Sequence, residues 1–272
     1  GLIIVRAPMA SGKTQQLIKP EMWRAHTGSY FAHRVSLVGS AHETLTKRKK
    51  DGSENHIPDW MMEIYHYQEH ETFMAMDAKK MCSCINSINK PAFNRILSNM
   101  DLLAVDEASQ TLRSITASGV MAYPLTVMNR LKQAAAKAKK VLLVDADAND
   151  DLVEWAGQVR DMRGDEQPIH VIELATDCSH RTVLHGELDA VYSDVIQKVG
   201  EGYRVMVAED AAEEGRRLAD DLTQLYPDKK GLFISQNTKT HDAAVRDFND
   251  KPDDNIEKYD WIIYSPAISS GV

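Results

Sequence analysis

Leu2-Ile3-Ile4-Val5-Arg6-Ala7-Pro8-Met9-Ala10-Ser11-Gly12-Lys13-Thr14 runs from an apolar stretch into a turn of small residues that closes on Gly-Lys-Thr. Apolar residues without alternation predict a strand buried on both faces. The turn after it predicts a phosphate-binding loop. Small residues let successive backbone N–H groups curl around phosphate oxygens, and the helix that follows points its positive N-terminal end at them. Lys13 is placed to reach the outer phosphates of a nucleoside triphosphate, ATP, and the Thr14 hydroxyl to hold Mg²⁺. Pro8, Met9, Ala10, Ser11, Gly12 and Gln15 complete the expected nucleotide-binding set.

The same pattern recurs downstream. Leu102-Leu103-Ala104-Val105 is a second buried strand, and it ends on Asp106-Glu107. An acidic pair at a strand end supplies what in-line phosphoryl transfer to water needs. Asp106 would hold Mg²⁺, and Glu107 would orient or deprotonate the attacking water. The second acid favours hydrolysis over kinase chemistry, because a kinase must exclude water. Taken alone, such a pair is also an ordinary capped helix start. Val141-Leu142-Leu143-Val144 likewise ends in acids, Asp145-Ala146-Asp147. Asp145 either reaches Glu107 or a water on the γ-phosphate, or it marks a strand-to-helix turn with Asp147 or Asn149 as N-cap; the residues leave both open. Finally, Ile262-Ile263-Tyr264-Ser265-Pro266-Ala267-Ile268-Ser269-Ser270-Gly271 runs from a strand into small hydroxyl residues. Such a turn can offer hydroxyl and N–H groups to a sugar-phosphate chain, although a polar loop after any strand looks similar.

Between these points the chain alternates strand and helix, which predicts mostly parallel sheets flanked by helices. Strands are expected over 2–6, 35–39, 81–85, 102–106, 141–145 and 169–174. Helices are expected over 13–19, 41–46, 57–67, 92–97, 126–139 and 149–158, the first of them stopped by Pro20. A second alternation covers strands 182–185, 204–208, 231–235 and 261–264 and helices 188–199, 211–226 and 242–248. Polar residues around Ala175-Thr176-Asp177-Cys178-Ser179-His180 place a domain boundary there, giving domains 1–178 and 179–272. At 272 residues, 43% hydrophobic and 26% charged, the composition is that of a globular protein. No apolar run reaches bilayer length. With no secretory signal at its start, the chain reads as cytoplasmic, in a bacterial or a phage or plasmid host cell. The net charge of −8 excludes bulk electrostatic attraction to nucleic acid, so any contact must come from local basic patches such as Lys47-Arg48-Lys49-Lys50. Both ends read as cut, one lacking an initiator Met and the other stopping within a motif-like turn.

Together these elements resemble the superfamily two helicases. More narrowly, they resemble the helicase part of herpesvirus origin-of-replication-binding proteins and of related plasmid and phage replication proteins, some fused to primases. The run from Val5 to Thr14 is similar to motif I of that family, which typically reads Arg-Ala-Pro-Met-Gly-Ser-Gly-Lys-Thr; Ala10 replaces a glycine. Ala7, where many phosphate loops have glycine, also suits nucleic-acid helicases. His33-Arg34-Val35-Ser36-Leu37 resembles motif Ia and Cys84-Ile85-Asn86-Ser87-Ile88 motif Ib. Asp106-Glu107-Ala108-Ser109-Gln110 resembles motif II, Asp145-Ala146-Asp147 motif III, and the segment from Tyr264 to Val272 motif V. The resemblance implies two RecA-like domains, the second incomplete, with ATP between them and single-stranded or forked DNA lying across both. It implies strand contacts from Arg34, Ser36, Asn86 and Ser87 in the first domain and from Ser265, Ser269 and Ser270 in the second, with Gly271 and Asp145 near the nucleotide. Other replication proteins would be partners, and a membrane would not. The arginine finger of motif VI should lie beyond motif V. Such a residue is worth about 10³–10⁵ in rate, so this piece is expected to bind ATP–Mg²⁺ and hydrolyse it poorly.

The remaining signals are weaker. Cys82 and Cys84 read as buried core thiols, and the third cysteine, Cys178, is unpatterned. His66 and His70 have metal-ligand spacing for a helix but read as surface histidines. Arg6 suits a phosphate, an acid or a plain strand end. Trp155, Tyr203 and Trp261 are expected in cores rather than as base-stacking platforms. Two rival readings share the phosphate loop and acidic pair: a terminase-like DNA motor, and a catalytically silent ATP-binding recruitment platform. The intact set Lys13, Thr14, Asp106 and Glu107 speaks against the second.

Overall fold

The structure, a computed structural model, describes residues 1–8, 11–68, 72–117, 119, 121–164, 168–175, 182–183 and 185–265. The chain forms two compact units, Gly1–Asp177 and Cys178–Val272. In the first, the order along the chain is β1 (Leu2–Arg6), α1 (Lys19–Arg24), β2 (Gly28–Ala32), α2 (Val35–Thr46), β3 (Tyr65–His66), β4 (Lys80–Cys84) and α3 (Asn94–Ser98). It continues through β5 (Leu102–Asp106), α4 (Ala108–Thr116), α5 (Pro124–Lys137), β6 (Lys140–Asp145), α6 (Asp150–Arg163) and β7 (Ile169–Glu173). Seven strands form one parallel sheet in the order β3-β4-β2-β5-β6-β1-β7. The central strands are buried along their whole length, as a parallel sheet covered by helices requires. Because the strands run the same way, the carboxyl ends of β4, β2, β5, β6 and β1 lie in a row along one edge. In such sheets that edge is where ligands bind.

In the first unit four stretches differ from the sequence expectation. The strand expected at 35–39 and the helix at 41–46 are one helix, α2: Val38, Ala41 and Leu45 are buried at helical spacing while Val35 and Ser36 are exposed. The strand lies earlier, in β2, whose five residues are all buried. The helix expected over 57–67 is a short turn, Asp59–Met61, followed by β3, which pairs Tyr65 with Met81 and His66 with Cys82. Pairing at the sheet edge satisfies that backbone and buries His66, which is therefore not a surface residue. Pro20 does not end the first helix. Residues Lys13–Ile18 wind as a π-type turn, with Lys19 N–H donating to Thr14 O, and α1 continues to Arg24. The wider turn removes the i→i−4 partner that a proline ring would strike. Finally, α4 has no counterpart in the expected helices.

The second unit carries α7 (Leu188–Gly200), β8 (Val205–Ala208), α8 (Ala212–Leu225), β9 (Gly231–Ile234), α9 (Gln236–His241), α10 (Ala243–Asp250), α11 (Pro252–Asn255) and β10 (Trp261–Tyr264). Its strands form a parallel sheet in the order β8-β10-β9. Alternation along β10 sends Trp261 and Ile263 into a core with Val199, Leu218 and Leu222, and Ile262 into another with Leu232, Val245 and Phe248. Thr182, Val183 and His185 lie outside any strand. Trp155 and Trp261 are core residues as expected, but Tyr203 is exposed, with Lys198 Nζ 4.9 Å from its ring centre. Cys82 and Cys84 are buried; Cys178 and His70 lie outside the described residues. Among the described residues no helix is long and apolar enough to cross a membrane.

Candidate functional site

Strand β1 lies between β6 and β7, and Ala7 N–H donates to Asp145 O at 2.9 Å, so the loop that follows starts within the sheet's carboxyl edge. Gly12 turns the chain into the helical turn with φ 76° and ψ 21°, a conformation that favours glycine. Lys13 Nζ donates to Ala7 O at 2.8 Å and Pro8 O at 3.1 Å. Its amine is thereby held over the first residues of the loop. Ser11 N–H donates to Pro8 O at 3.3 Å, while the Ser11 hydroxyl is buried without a partner. Gln15 is half-buried on the same turn. Met9 and Ala10 lie outside the described residues.

The acidic pair comes from β5. Thr14 Oγ1 donates to Asp106 Oδ2 at 3.3 Å across 92 positions of sequence. The same oxygen accepts from Tyr30 Oη at 3.0 Å, and Oδ1 accepts from Glu107 N–H at 3.0 Å. Burial pushes the Asp106 carboxyl above its ordinary value, opposed by these donors and by the Lys13 charge. Burial also pushes Glu107 upward, and the neighbouring Asp106 and Asp145 carboxylates add to it. Glu107 is the sole non-glycine with positive φ among the described residues, at φ 45° and ψ 53°. Its carboxylate accepts a long bond, 3.4 Å, from Gln110. Tyr30 was not singled out from the sequence. Its phenol is raised well above the ordinary value by burial and by Asp106, so it stays protonated and donates. An aromatic at that place is visible in the sequence, but that it faces an acid on β5 depends on which strands are neighbours.

Asp145 is fully buried, and backbone N–H groups occupy both its oxygens: Ser109 at 2.6 Å on Oδ2 and Asp147 at 2.7 Å on Oδ1. It ties the start of α4 to the end of β6. The N-cap of α6 is Asn149, which accepts from Leu152 N–H. Arg6 pairs with Glu173 on β7 at 3.4 Å.

The residues expected to contact a nucleic-acid strand leave the same edge two strands further along. Ala32 is paired with Cys84, so the turns after β2 and β4 begin at one level, and Cys84 Sγ donates to His33 O at 3.3 Å. Arg34 and Ser36 are exposed at the start of α2; Asn86 is exposed and Ser87 half-buried on the Ile85–Ser87 turn, with Ser87 Oγ 3.3 Å from Asn86 Oδ1. Burial and the Arg34 charge lower the His33 imidazole below its ordinary value. In the second unit Ser265 is buried at the end of β10, its N–H donating to Ile234 O at 2.9 Å. Ser269, Ser270 and Gly271 lie outside the described residues. The first unit thus gathers Lys13, Thr14, Asp106, Glu107 and Asp145 at adjacent strand ends, with Arg34, Ser36, Asn86 and Ser87 beside them.

A model of the family described as "Origin of replication binding protein" matches residues 1–185. The replication origin-binding proteins of equine herpesvirus 1, strains Ab4p and V592, are each 29% identical to the chain over 169 residues, 62% of its length. The chain spans 18% of the length of these relatives. Among solved structures, S. cerevisiae Dbp5 bound to RNA and ADP BeF3 matches with a TM-score of 0.60 at 12% identity, covering 100% of this chain and 67% of that one. Mycobacterium smegmatis helicase Lhr bound to ssDNA and AMP-PNP matches with a TM-score of 0.54 at 12% identity, covering 97% of this chain and 37% of that one. At these identities the likeness concerns the fold, which is RecA-like. With its family match extending over more than half of its length, the chain belongs to the origin of replication binding protein family and carries a helicase-like domain of that family.

Proposed function

We propose that this chain is the ATP-dependent part of a DNA replication motor, coupling hydrolysis to movement on single-stranded or forked DNA. The observation that carries the reading is the meeting of Thr14 with Asp106 at 3.3 Å, each adjacent in the chain to the residue that completes the chemistry, Lys13 or Glu107. Lys13 exchanges its bonds to Ala7 O and Pro8 O for phosphate oxygens. The buried Ser11 hydroxyl gains an acceptor in the same step. Glu107, held beside two other carboxylates, takes the proton of the attacking water.

Thr14 and Asp106 fit Mg²⁺: both offer oxygen, and a small hard cation in nucleotide sites takes one or two protein ligands beside phosphates and waters. Held there, Mg²⁺ would supply positive charge against the phosphates. The strand-contact role of Arg34, Ser36, Asn86 and Ser87 belongs to the same proposal, as do those of Ser265, Ser269 and Ser270 and the nucleotide contact of Gly271. The α4 helix packs on the Ile85–Ser87 turn and begins just after Glu107, and so links the two functions. Dbp5 with RNA and a nucleotide, and Lhr with ssDNA and a nucleotide, support the reading by analogy.

The test measures ATP binding by a fluorescent analogue and, in a chain extended to include the motif VI arginine, ATPase rate with and without single-stranded DNA. Lys13→Ala is expected to lower turnover by about 10²–10³. Glu107→Gln is expected to keep ATP affinity and to lower turnover by about 10²–10⁴. ATP affinity unchanged in Lys13→Ala would place the nucleotide elsewhere. Tight binding without turnover in that extended chain would leave only a recruitment platform.

A further inference from the structure

Asp106 is reached by Thr14 from the phosphate loop, and it is also held from a second direction. Tyr30 lies in the middle of β2, paired with Ala104 on β5 and Cys82 on β4, and none of it is exposed. Its Oη donates to Asp106 Oδ2 at 3.0 Å, across 76 positions of sequence. That bond is shorter than the 3.3 Å bond from Thr14 Oγ1 to the same oxygen. The donor to Oδ1 is local, the N–H of Glu107. Tyr30 belongs to the apolar core of the first unit, where a phenylalanine ring would fill the same space. Packing alone therefore does not call for the oxygen. A buried phenol needs a partner, and this one takes a carboxylate, the stronger kind of acceptor.

A carboxylate accepts about four hydrogen bonds. Tyr30, Thr14 and the Glu107 N–H supply three, which leaves acceptor capacity for an ion or one of its waters. Thr14 is itself offered to the ion in the function proposed above, so it follows the ion. Tyr30 is anchored in the sheet, and its bond to Asp106 belongs to the fold.

We propose that Tyr30 is a positioning residue for the divalent ion: its hydroxyl fixes the Asp106 carboxylate in the orientation that takes Mg²⁺, and so sets how strongly the site couples metal to nucleotide. Partners that hold a metal-ligating group typically account for about 10–100-fold in metal affinity. Tyr30 acts through Asp106 and has no role toward the phosphates. The inference rests on the ATP–Mg²⁺ reading of this edge.

The test is the affinity of a fluorescent ATP analogue for the full chain, measured with Mg²⁺ and with EDTA, in wild type and Tyr30→Phe. The substitution removes one oxygen from a packed position, and melting followed by circular dichroism verifies the fold. With Mg²⁺ the variant should bind the analogue about tenfold more weakly than wild type, while with EDTA the two should agree within about twofold. Mn²⁺ binding in the presence of ADP, followed by the electron paramagnetic resonance of the free ion, should weaken by about tenfold as well. In an Asp106→Ala background, Tyr30→Phe should change the affinity with Mg²⁺ by no more than about twofold, because the pair acts as a unit. Equal weakening with Mg²⁺ and with EDTA would make Tyr30 a support of the loop alone and overturn the proposal. Unchanged affinity with Mg²⁺, or additive losses in the double variant, would overturn it too. If Mg²⁺ fails to tighten the analogue on wild type, the ATP–Mg²⁺ reading itself falls, and the inference with it.

Discussion

At the scale of single residues, the candidate site holds groups in states they would not choose alone. Glu107 adopts a left-handed conformation at φ 45° while its carboxylate is crowded by Asp106 and Asp145. A non-glycine residue there costs roughly 1–2 kcal/mol, and strained residues of this kind gather at functional sites. Glu107→Gly should therefore raise the unfolding free energy by about 1 kcal/mol once the added freedom of the unfolded chain is deducted, read as a higher denaturant midpoint, while abolishing turnover. A fall in stability would mean that the side chain holds the turn in place. Lys80, buried with its amine on the Met61 and Trp23 carbonyls, has the opposite sign of perturbation from a paired lysine: about 8 in the fold against an ordinary 10.5. The unfolded chain binds the extra proton between those values, so wild-type stability rises with pH through that window. Below pH 8 the full cost is present. Lys80→Met should be more stable than wild type by about 1–2 kcal/mol at pH 7, after loss of two N–H donations. That advantage should shrink and reverse by pH 10.5, as urea denaturation across the range would reveal.

At the scale of elements, local periodicity misled where the partner of an element lay far away in sequence. Val35, Leu37 and Val38 resemble a strand, yet only Val38 of the three is buried, because the position next to β4 and β5 is already filled by β2. Residues 57–67 have a helical spacing of apolar side chains, but an open edge beside β4 offers the backbone a ladder, and Tyr65 and His66 take it. The phosphate loop's helix escapes its proline because the turn before it widens. In the second unit, β9 meets β10 with no room for a side chain at one place: a Cβ on Gly231 would fall 1.8 Å from the Trp261 ring. Gly231→Ala should therefore cost about 1–3 kcal/mol or more and speed hydrogen exchange of amides in β8, β9 and β10, leaving those of β1 to β7 protected. Unchanged exchange in the second sheet would mean that Trp261 can turn aside freely.

At the scale of the whole molecule, parallel strands put every candidate group of the first unit on one edge, ordered by strand neighbours rather than by sequence. Arg34 and Asn86 lie on the turns after β2 and β4, next to the acids that follow β5. If that edge carries a nucleic-acid strand, Arg34→Ala and Asn86→Ala, both at exposed positions, should remove most of the DNA-stimulated ATPase of a chain that includes the motif VI arginine and leave the basal rate within about twofold. Basal turnover falling in step with the stimulated rate would assign them to the nucleotide instead.

By itself the sequence determined the parallel α/β class and the candidate residues Lys13, Thr14, Asp106 and Glu107, because unbroken apolar runs and the small or acidic residues at their ends are local properties of the chain. Only the tertiary structure decided that Tyr30 donates to Asp106, that Asp145 is occupied by backbone N–H groups of Ser109 and Asp147, and that Lys80 is buried with its amine on the Met61 and Trp23 carbonyls. Those facts depend on strand order, and strand order is settled by which buried faces fit together across the fold.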